Sequence, residues 1–376
     1  MRLVILNSEY PPIGGGAGNA SAHIASQLVK MGHEITIITA RFADLPHQET
    51  STNLTVIRIP TLRRKRDRSG ALEQILFIIS ASFWTLRLVH HLKPNATLAF
   101  FGVPSGAVAL FLKLAHKIPY VVSLRGGDVP GFRPYDFGVY HKLVAPLLRI
   151  IWKNASAIVA NSSGLRELAI RFDARFEIPI IPNGVDLELY KTSDYADDGI
   201  PRLLSVGRIV HQKGLDLAMR ALADLRDLEW EWRIAGDGPQ LEFLKLLAHK
   251  LGIANRVHFL GWQSRMQLIE RYQCSSLFLF PSRDEGMPNA VLEAMASGLP
   301  IIASRVAGSE ELVLDGNTGI LFLTEDAEAL RIALRTLLTD VALRKKMGKA
   351  SRRRVEEHYS WESTARQYAL LLEQVQ

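Results

Sequence analysis

The chain has 376 residues, more than one hydrophobic core ordinarily serves, and roughly 150 residues per domain predicts two domains. With 48% hydrophobic and 22% charged residues it reads as folded rather than disordered, and its single cysteine, Cys274, excludes an intramolecular disulfide framework and a cysteine metal site, which fits a reducing cytoplasm. The formal net charge of +7 is unevenly placed: residues 1–190 hold 21 Lys and Arg against 13 Asp and Glu, and the remainder hold 24 against 25.

Arg2 to Asn7 reads as a buried first strand, its apolar run too short for a signal peptide, and no stretch is expected to span a membrane. Next comes Ser8-Glu9-Tyr10-Pro11-Pro12-Ile13-Gly14-Gly15-Gly16-Ala17-Gly18-Asn19, then a helical segment to Met31 and a strand from His33 to Thr39. A Gly-rich loop opening a helix can receive phosphate, but the dinucleotide fingerprint fails. Counted from Gly14 and Gly16, the third glycine is due where Asn19 stands; counted from Gly16 and Gly18, it is due at Ser21. What remains is either an ordinary turn or a permissive loop whose backbone can approach a sugar or phosphate closely.

The run Arg63-Arg64-Lys65-Arg66-Asp67-Arg68 leads directly into the apolar, helix-like stretch Ile75 to Trp84, followed by Arg87. Two readings stand: a peripheral contact with anionic membrane, or a solvated loop entering a core helix. Nucleic acid is not an expected partner, since charge alone does not read bases. Short apolar or β-branched segments near residues 54–59, 96–100, 119–123 and 157–160 alternate with helix-like stretches, which predicts a mostly parallel sheet. Beyond the strand at Tyr120 to Ser123, the loop Leu124 to Pro130 offers Arg125 for a phosphate or sugar hydroxyls and Asp128 as an acceptor, unless the two form a structural pair.

Pro182-Asn183-Gly184-Val185-Asp186 ends the first half, and the polar, acidic stretch 191–199 reads as a linker, giving domains at 1–190 and 200–361. The strand Arg202 to Val206 then opens a second α/β series. In the loop Gly207-Arg208-Ile209-Val210-His211-Gln212-Lys213-Gly214, two cations flank a helix amino terminus, an arrangement suited to a diphosphate; His211 reads as solvated. Trp230 to Ala235 and Val257 to Leu260 are short strands closed by glycine turns. The strand Ser276 to Phe280 stops at Pro281, and Pro288 is expected as the first residue of a helix that ends at Gly298. Glu285 and Glu293 bracket that helix start, so one pocket can use both, although a dipole-facing Glu285 and a solvent-facing Glu293 are the plain alternative. Ala307-Gly308-Ser309-Glu310-Glu311 reads on its own as a helix cap. The basic helical run with Arg344-Lys345-Lys346 and Arg352-Arg353-Arg354 reads as a solvated face.

The segment Glu285-Gly286-x-Pro288-x-x-x-x-Glu293 resembles the Glu-x7-Glu signature of the family 4 retaining glycosyltransferases. Pro182 to Asp186, the Arg208 to Lys213 loop and Ala307 to Glu311 are similar to further family segments, so the resemblance covers nearly the whole chain. It implies an α/β chain of the GT-B type: two facing Rossmann-like, doubly wound domains with a cleft between them, and residues 362–376 packed back onto the first. It also implies a nucleotide-diphosphate sugar on the second domain. Arg208 and Lys213 would hold the diphosphate, Glu293 the ribose and Glu285 the donor sugar, with Gly286, Met287, Pro288, Gly308, Gly15 and Gly16 close to the donor. Arg125, Asp128 and Asn19 are the candidates for acceptor or phosphate, although many family members have His where Arg125 stands. The acceptor would be a saccharide or a lipid-linked precursor at the cytoplasmic membrane face. No cofactor is expected. The sequence has no Asp-x-Asp triplet to bridge a metal to a diphosphate, so no metal is expected either, and both motif acids are engaged with donor, which leaves front-face attack as the route to retention. A nucleotide-sugar epimerase or hydrolase of the same fold, or a non-catalytic carbohydrate-binding protein, remains open at this point.

Overall fold

The computed structural model describes residues 1–65, 69–192 and 199–375, without the side chains of residues 134–136. The chain divides into two units, Met1–Asn183 with Trp361–Gln376, and Gly184–Ser360. The division thus falls inside the Pro182–Asp186 segment rather than at residue 190. Two contacts draw residues 184–190 into the second unit: the Val185 N–H donates to the Tyr359 carbonyl at 2.8 Å, and the Tyr190 ring meets Tyr272 edge-on at 5.7 Å. Most of the expected linker, Ser193 to Asp198, lies outside the described residues, as do Arg66, Asp67 and Arg68 of the basic run.

The first unit runs β1 (Arg2–Leu6), α1 (Gly16–Lys30), β2 (Glu34–Ala40), β3 (Gln48–Ser51), β4 (Leu54–Ile59), α2 (Ala71–Leu92), β5 (Ala96–Phe100), α3 (Ala107–His116), β6 (Tyr120–Leu124), α4 (Pro134–Asn154), β7 (Ala157–Ala160) and α5 (Ser163–Phe172). Among the described residues its sheet has seven strands in the order β3-β4-β2-β1-β5-β6-β7. Neighbours are parallel except β3, which returns antiparallel on β4. The inner strands are near-continuous apolar runs, such as Leu3, Val4, Ile5 and Leu6, because helices cover both faces. The edge strand β3 is the exception. Its four residues, Gln-Glu-Thr-Ser, are all exposed, so no apolar alternation announces it.

Helix α2 is long and apolar enough to cross a membrane by length and composition, contrary to the expectation that no stretch is. It instead lays Phe77, Ala81, Thr85 and Val89 inward and leaves Leu72, Ile75, Ile79 and Phe83 between 53% and 62% exposed. The neighbouring α4 exposes Val139, Leu143 and Ile150, and the Tyr140 hydroxyl donates to Gln74 Oε1 at 3.0 Å, joining the two helices.

The second unit runs β8 (Arg202–Val206), α6 (Leu215–Ala223), β9 (Glu231–Ala235), α7 (Leu241–Lys250), β10 (Val257–Gly261), α8 (Arg265–Gln273), β11 (Leu277–Phe280), α9 (Asn289–Ala296), β12 (Ile301–Ser304), α10 (Ala307–Leu312), β13 (Gly319–Phe322), α11 (Ala327–Thr339) and α12 (Val341–His358). Its strands are ordered β10-β9-β8-β11-β12-β13, each pair parallel. The basic run on α12 is less solvated than expected. Arg344 is buried and donates to the Leu337 and Leu338 carbonyls, and Arg352 donates to the carbonyls of Tyr190 and Ala296. The last helix, α13 (Trp361–Gln374), belongs to the first unit, where Trp361 stacks on His23 at 4.9 Å and Thr364 donates to the Pro182 carbonyl.

Candidate functional site

In a doubly wound sheet, ligands bind beyond the carboxyl ends of the strands, where the chain order reverses and two successive connections leave in opposite directions. In the second unit that place is β8, flanked by β9 and β11, and the two loops that part there are Gly207–Gly214 and Pro281–Pro288. The loops are clamped together. Gly214 has φ +62, and a Cβ built on it would lie 2.0 Å from the Pro281 carbonyl oxygen, so only glycine lets them touch. The Arg283 N–H donates to the Gln212 carbonyl at 2.7 Å, and Gln212 Nε2 returns a bond to the Asp284 carbonyl at 2.6 Å. The Arg283 guanidinium forks onto Asp216 at 2.8 and 3.0 Å and donates to the His211 carbonyl.

This scaffold brings together two of the residues singled out in the sequence. Lys213 Nζ donates to Glu285 Oε1 at 2.5 Å, and the two side chains are 19% and 12% exposed. Lys213 Nζ also lies 4.8 Å over the Phe280 ring, and Gln212 Nε2 reaches Glu285 Oε1 at 3.4 Å. Arg208 is exposed on the same loop. Pro288 stands just ahead of α9 with φ −80 and ψ 106, one place earlier than the first helical position expected of it. The Met287 side chain packs in the core with Phe280, Val291 and Leu292. Gly308 lets the start of α10 settle on the Glu-x7-Glu loop: a Cβ there would lie 2.3 Å from the Gly286 carbonyl and 2.9 Å from Pro288 Cδ.

Glu293 is half-buried rather than turned out to open solvent. Tyr272 Oη donates to its Oε2 at 2.9 Å, and the Tyr190 ring stands edge-on to Tyr272 at 5.7 Å. Desolvation raises the Glu293 pKa to about 7, against the opposing pull of the Tyr272 and Tyr190 hydroxyls and the Arg265 charge.

The first unit has the same reversal at β1, flanked by β2 and β5, but its polar side chains are used differently. Gly15 and Gly16 open α1 without a side-chain cap, and Asn19 is exposed one turn on. Arg63, read in the sequence as part of a surface charge run, is 9% exposed. Its Nη1 donates to the Ser8 carbonyl at 3.1 Å, and its Nη2 lies 3.6 Å from Glu9 Oε1, holding the loop beyond β1. Asp128 is 3% exposed and accepts three backbone N–H bonds, from Gly102 at 2.8 Å, Arg125 at 3.0 Å and Gly126 at 3.1 Å. Burial nevertheless holds its pKa above the ordinary carboxylate value. The Arg125 guanidinium donates to Asn183 Oδ1 at 2.6 Å and to Tyr368 Oη at 3.2 Å, over the Phe100 ring at 4.4 Å. Asp128 therefore meets the Arg125 backbone, and the guanidinium ties β6 to α13 and to the end of the unit.

Sequence reasoning did not single out Gln212, Arg283, Tyr190 or Tyr272. Gln212 and Arg283 lay inside the recognised loops, where that position was the available signal. The tyrosines offered none, since Glu293 is 21 residues from Tyr272 and the Tyr272 ring is further still from Tyr190.

Two family profiles match the chain: Glycosyltransferase Family 4 over residues 14–189 and Glycosyl transferases group 1 over residues 191–354. The chain is 30% identical over 395 residues to the GDP-mannose-dependent alpha-(1-6)-phosphatidylinositol monomannoside mannosyltransferase of Mycolicibacterium smegmatis, covering 98% of each chain. It is 24% identical to glycogen synthase of Mycobacterium tuberculosis, over 97% of this chain and 92% of that one. Among solved structures, sucrose-phosphate synthase of Thermosynechococcus elongatus superposes with a TM-score of 0.85 at 21% identity, over 99% of this chain and 98% of that one. The Anabaena protein HepE in complex with UDP-glucose gives 0.79 at 20% identity over 99% of each. Two parallel-sheet Rossmann-like units, the paired Lys213 and Glu285 at the strand-order reversal and these matches over almost every residue have one reading: the chain is a glycosyltransferase of family 4, with the GT-B fold.

Proposed function

We propose that this chain is a retaining transferase that moves a sugar from a nucleotide-diphosphate donor, held by the second unit, to a hydroxyl of a saccharide or lipid-linked acceptor at the cytoplasmic membrane face. The observation that carries this reading is the Lys213–Glu285 pair between two glycine-clamped loops at the strand-order reversal. A diphosphate arriving there competes for Lys213 with more negative charge than one carboxylate has. Glu285, relieved of its cation, then accepts hydrogen bonds from donor-sugar hydroxyls or faces the positive charge that builds on the sugar as the bond to phosphate lengthens. Arg208 and Lys213 stabilise the charge growing on the leaving diphosphate, a contribution that in acyl transfer is worth roughly 10²–10³-fold per donor. Glu293 accepts from the ribose. With cations already beside the phosphates, no divalent metal is required, and the leaving phosphate itself takes the proton of the attacking hydroxyl on the front face. Arg125 is then free to serve the fold where family members place His.

Relatives add support for a lipid-linked acceptor: the matched Mycolicibacterium enzyme acts, by its name, on a phosphatidylinositol monomannoside, and a Rhizobium leguminosarum relative, 31% identical over 230 residues, is a lipopolysaccharide core mannosyltransferase. The exposed apolar face of α2 beside exposed Arg64 and Lys65 suits peripheral contact with anionic membrane. The test starts from a thermal-stabilisation screen of nucleotide sugars, since a bound donor raises the melting temperature by mass action. The stabilising donor is then incubated with protein and lipid extract. Acceptor-dependent nucleotide release supports transfer, isomerised sugar would point to an epimerase, nucleotide release without acceptor to a hydrolase, and no reaction to a binding protein. An inverted anomeric centre in the product's NMR spectrum overturns retention, and activity lost to chelator and regained with Mg²⁺ or Mn²⁺ overturns metal independence.

A further inference from the structure

Lys213 and Glu285 stand on different loops, and the ion pair between them cannot hold those loops in register during transfer, because on the reading above the donor takes both side chains. Arg283 ties the same two loops without using either residue. It stands two positions before Glu285 and grips the chain on both sides of Lys213. Ahead of the lysine, the Arg283 N–H donates to the Gln212 carbonyl at 2.7 Å and its Nη1 to the His211 carbonyl at 2.6 Å. Beyond it, Nη1 and Nη2 fork onto the two Asp216 oxygens at 2.8 and 3.0 Å, in the first turn of α6. Only Lys213, Gly214 and Leu215 lie between those holds, so the lysine has little backbone freedom left. Arg283 also meets Glu325, in the loop between β13 and α11. That carboxylate is 56% exposed, whereas Arg283 and Asp216 are 14% and 21% exposed. An ion pair with an exposed partner contributes little, so the planar fork on Asp216 is the contact that fixes geometry.

We propose that Arg283 is a positioning residue for sugar transfer, holding residues 211–216 so that Lys213 stays opposite Glu285 once the donor has parted the two. This role rests on the reading that Lys213 serves the diphosphate and Glu285 the donor sugar. Charge growing on the leaving group is stabilised only by a cation already in place, so a displacement of the lysine by about 1 Å can cost roughly 10²-fold in rate. Arg283 acts on turnover through Lys213, and its effect therefore vanishes where the lysine is absent. Two other roles lack that signature. A contact that merely stabilises the fold changes unfolding alone, and a guanidinium bound to the donor on its own account multiplies its effect with that of Lys213.

The experiment is a double-mutant cycle on the full-length chain: wild type, Arg283→Met, Lys213→Ala and the double variant. Each is assayed in lipid extract with whichever of UDP-glucose, GDP-mannose and ADP-glucose stabilises wild type most. Arg283→Met should lower kcat and donor kcat/KM together, by roughly 10- to 10²-fold, with KM nearly unchanged. In the Lys213→Ala chain the same substitution should cost no more than about twofold. Asp216→Asn keeps the shape of its side chain and weakens the fork, so it should show the same pattern with a smaller loss, and it carries the cycle if Arg283→Met does not fold. Glu325→Gln should leave turnover unchanged; a fall matching that of Asp216→Asn would overturn the importance of the grip on residues 211–216. Effects that multiply in the double variant overturn positioning through Lys213. So do a loss confined to KM and wild-type turnover per folded molecule in Arg283→Met. No transfer by wild type, or normal turnover in Lys213→Ala, instead overturns the donor reading of the pair, and the inference with it.

Discussion

In the second unit, the loops beyond β8 and β11 keep a cation and an acid at the crevice, Lys213 and Glu285, partly accessible and paired with each other. In the first, the loops beyond β1, β5 and β6 turn their charges inward: Arg63 holds the Ser8 carbonyl, and Asp128 gathers three backbone N–H groups from two loops. The topology is the same, with a central strand flanked on both sides by its successors, yet the polar residues do opposite work. In the second unit, on the proposed reading, they are exchangeable, because a phosphate can displace a carboxylate from a partly accessible lysine at little cost. In the first they are structural, because stripping a buried carboxylate of its backbone donors leaves four groups unsatisfied. A reversal of strand order marks where a ligand fits, and only the exposure and mutual pairing of the side chains there shows whether ligand chemistry is present.

The sharpest way to break this contrast is Lys213→Ala. Turnover should fall roughly 10²–10³-fold as the diphosphate loses its lysine, with the fold intact, and Arg208→Ala should fall similarly. Near-normal turnover and donor affinity in steady-state kinetics of either variant would return this pair to the class of structural contacts. The converse substitution in the first unit, Asp128→Ala, should act on stability instead. It leaves buried N–H groups without an acceptor at about 1–3 kcal/mol each, so denaturant unfolding should show a loss of several kcal/mol while the surviving folded protein still binds nucleotide normally. A selective loss of acceptor turnover without a loss of stability would make Asp128 a ligand-binding residue after all.

Glycines sharpen the comparison further. Gly214→Ala places a methyl 2.0 Å from the Pro281 carbonyl at φ +62 and should cost about 1–3 kcal/mol together with donor affinity. Gly15→Ala in the first unit meets nothing within 4 Å, so its stability should change by less than about 0.5 kcal/mol. A drop in activity for that silent substitution would be direct evidence that a ligand needs the bare backbone there. A further effect, on membrane binding rather than on turnover or stability, concerns the basic half. Binding to anionic vesicles should weaken steadily with salt and weaken again in Ile79→Glu, with each nearby Lys or Arg contributing on the order of 1 kcal/mol, as co-sedimentation would show. Absence from such vesicles at every salt concentration would leave the α2 face without a membrane role and the transferase reading untouched.

Most of the architecture was legible in the sequence because it is written locally. Apolar strands, glycine turns and helix starts follow one another in both halves, and the Glu285–Glu293 segment is a contiguous motif. What escaped depended on distant partners or on the absence of pattern. Strand β3 is four exposed polar residues that pair only because β4 offers an edge. Arg63 looked like surface because charge runs usually are, and its burial depends on the Ser8 carbonyl 55 residues earlier. The Arg125 and Asp128 candidates were found by their loop, but what they bind, Gly102, Asn183 and Tyr368, is brought there by folding. Ala71–Leu92 has the composition of a membrane span, and packing one face of it onto the unit made it a surface helix.

The return of α13 to the first unit makes the second unit an insertion within the first, covalently speaking. Its entry and exit are neighbours: Val185 forms a parallel bridge with Ser360, and its N–H meets the Tyr359 carbonyl. A polypeptide whose ends meet can be closed into a ring, reopened elsewhere or spliced into another host with a short joint, because no long span needs bridging. The piece that carries Lys213, Glu285 and Glu293 is therefore portable. Residues 184–360 form a cassette that evolution or an engineer can exchange whole, leaving the host sheet of the first unit to be varied on its own schedule.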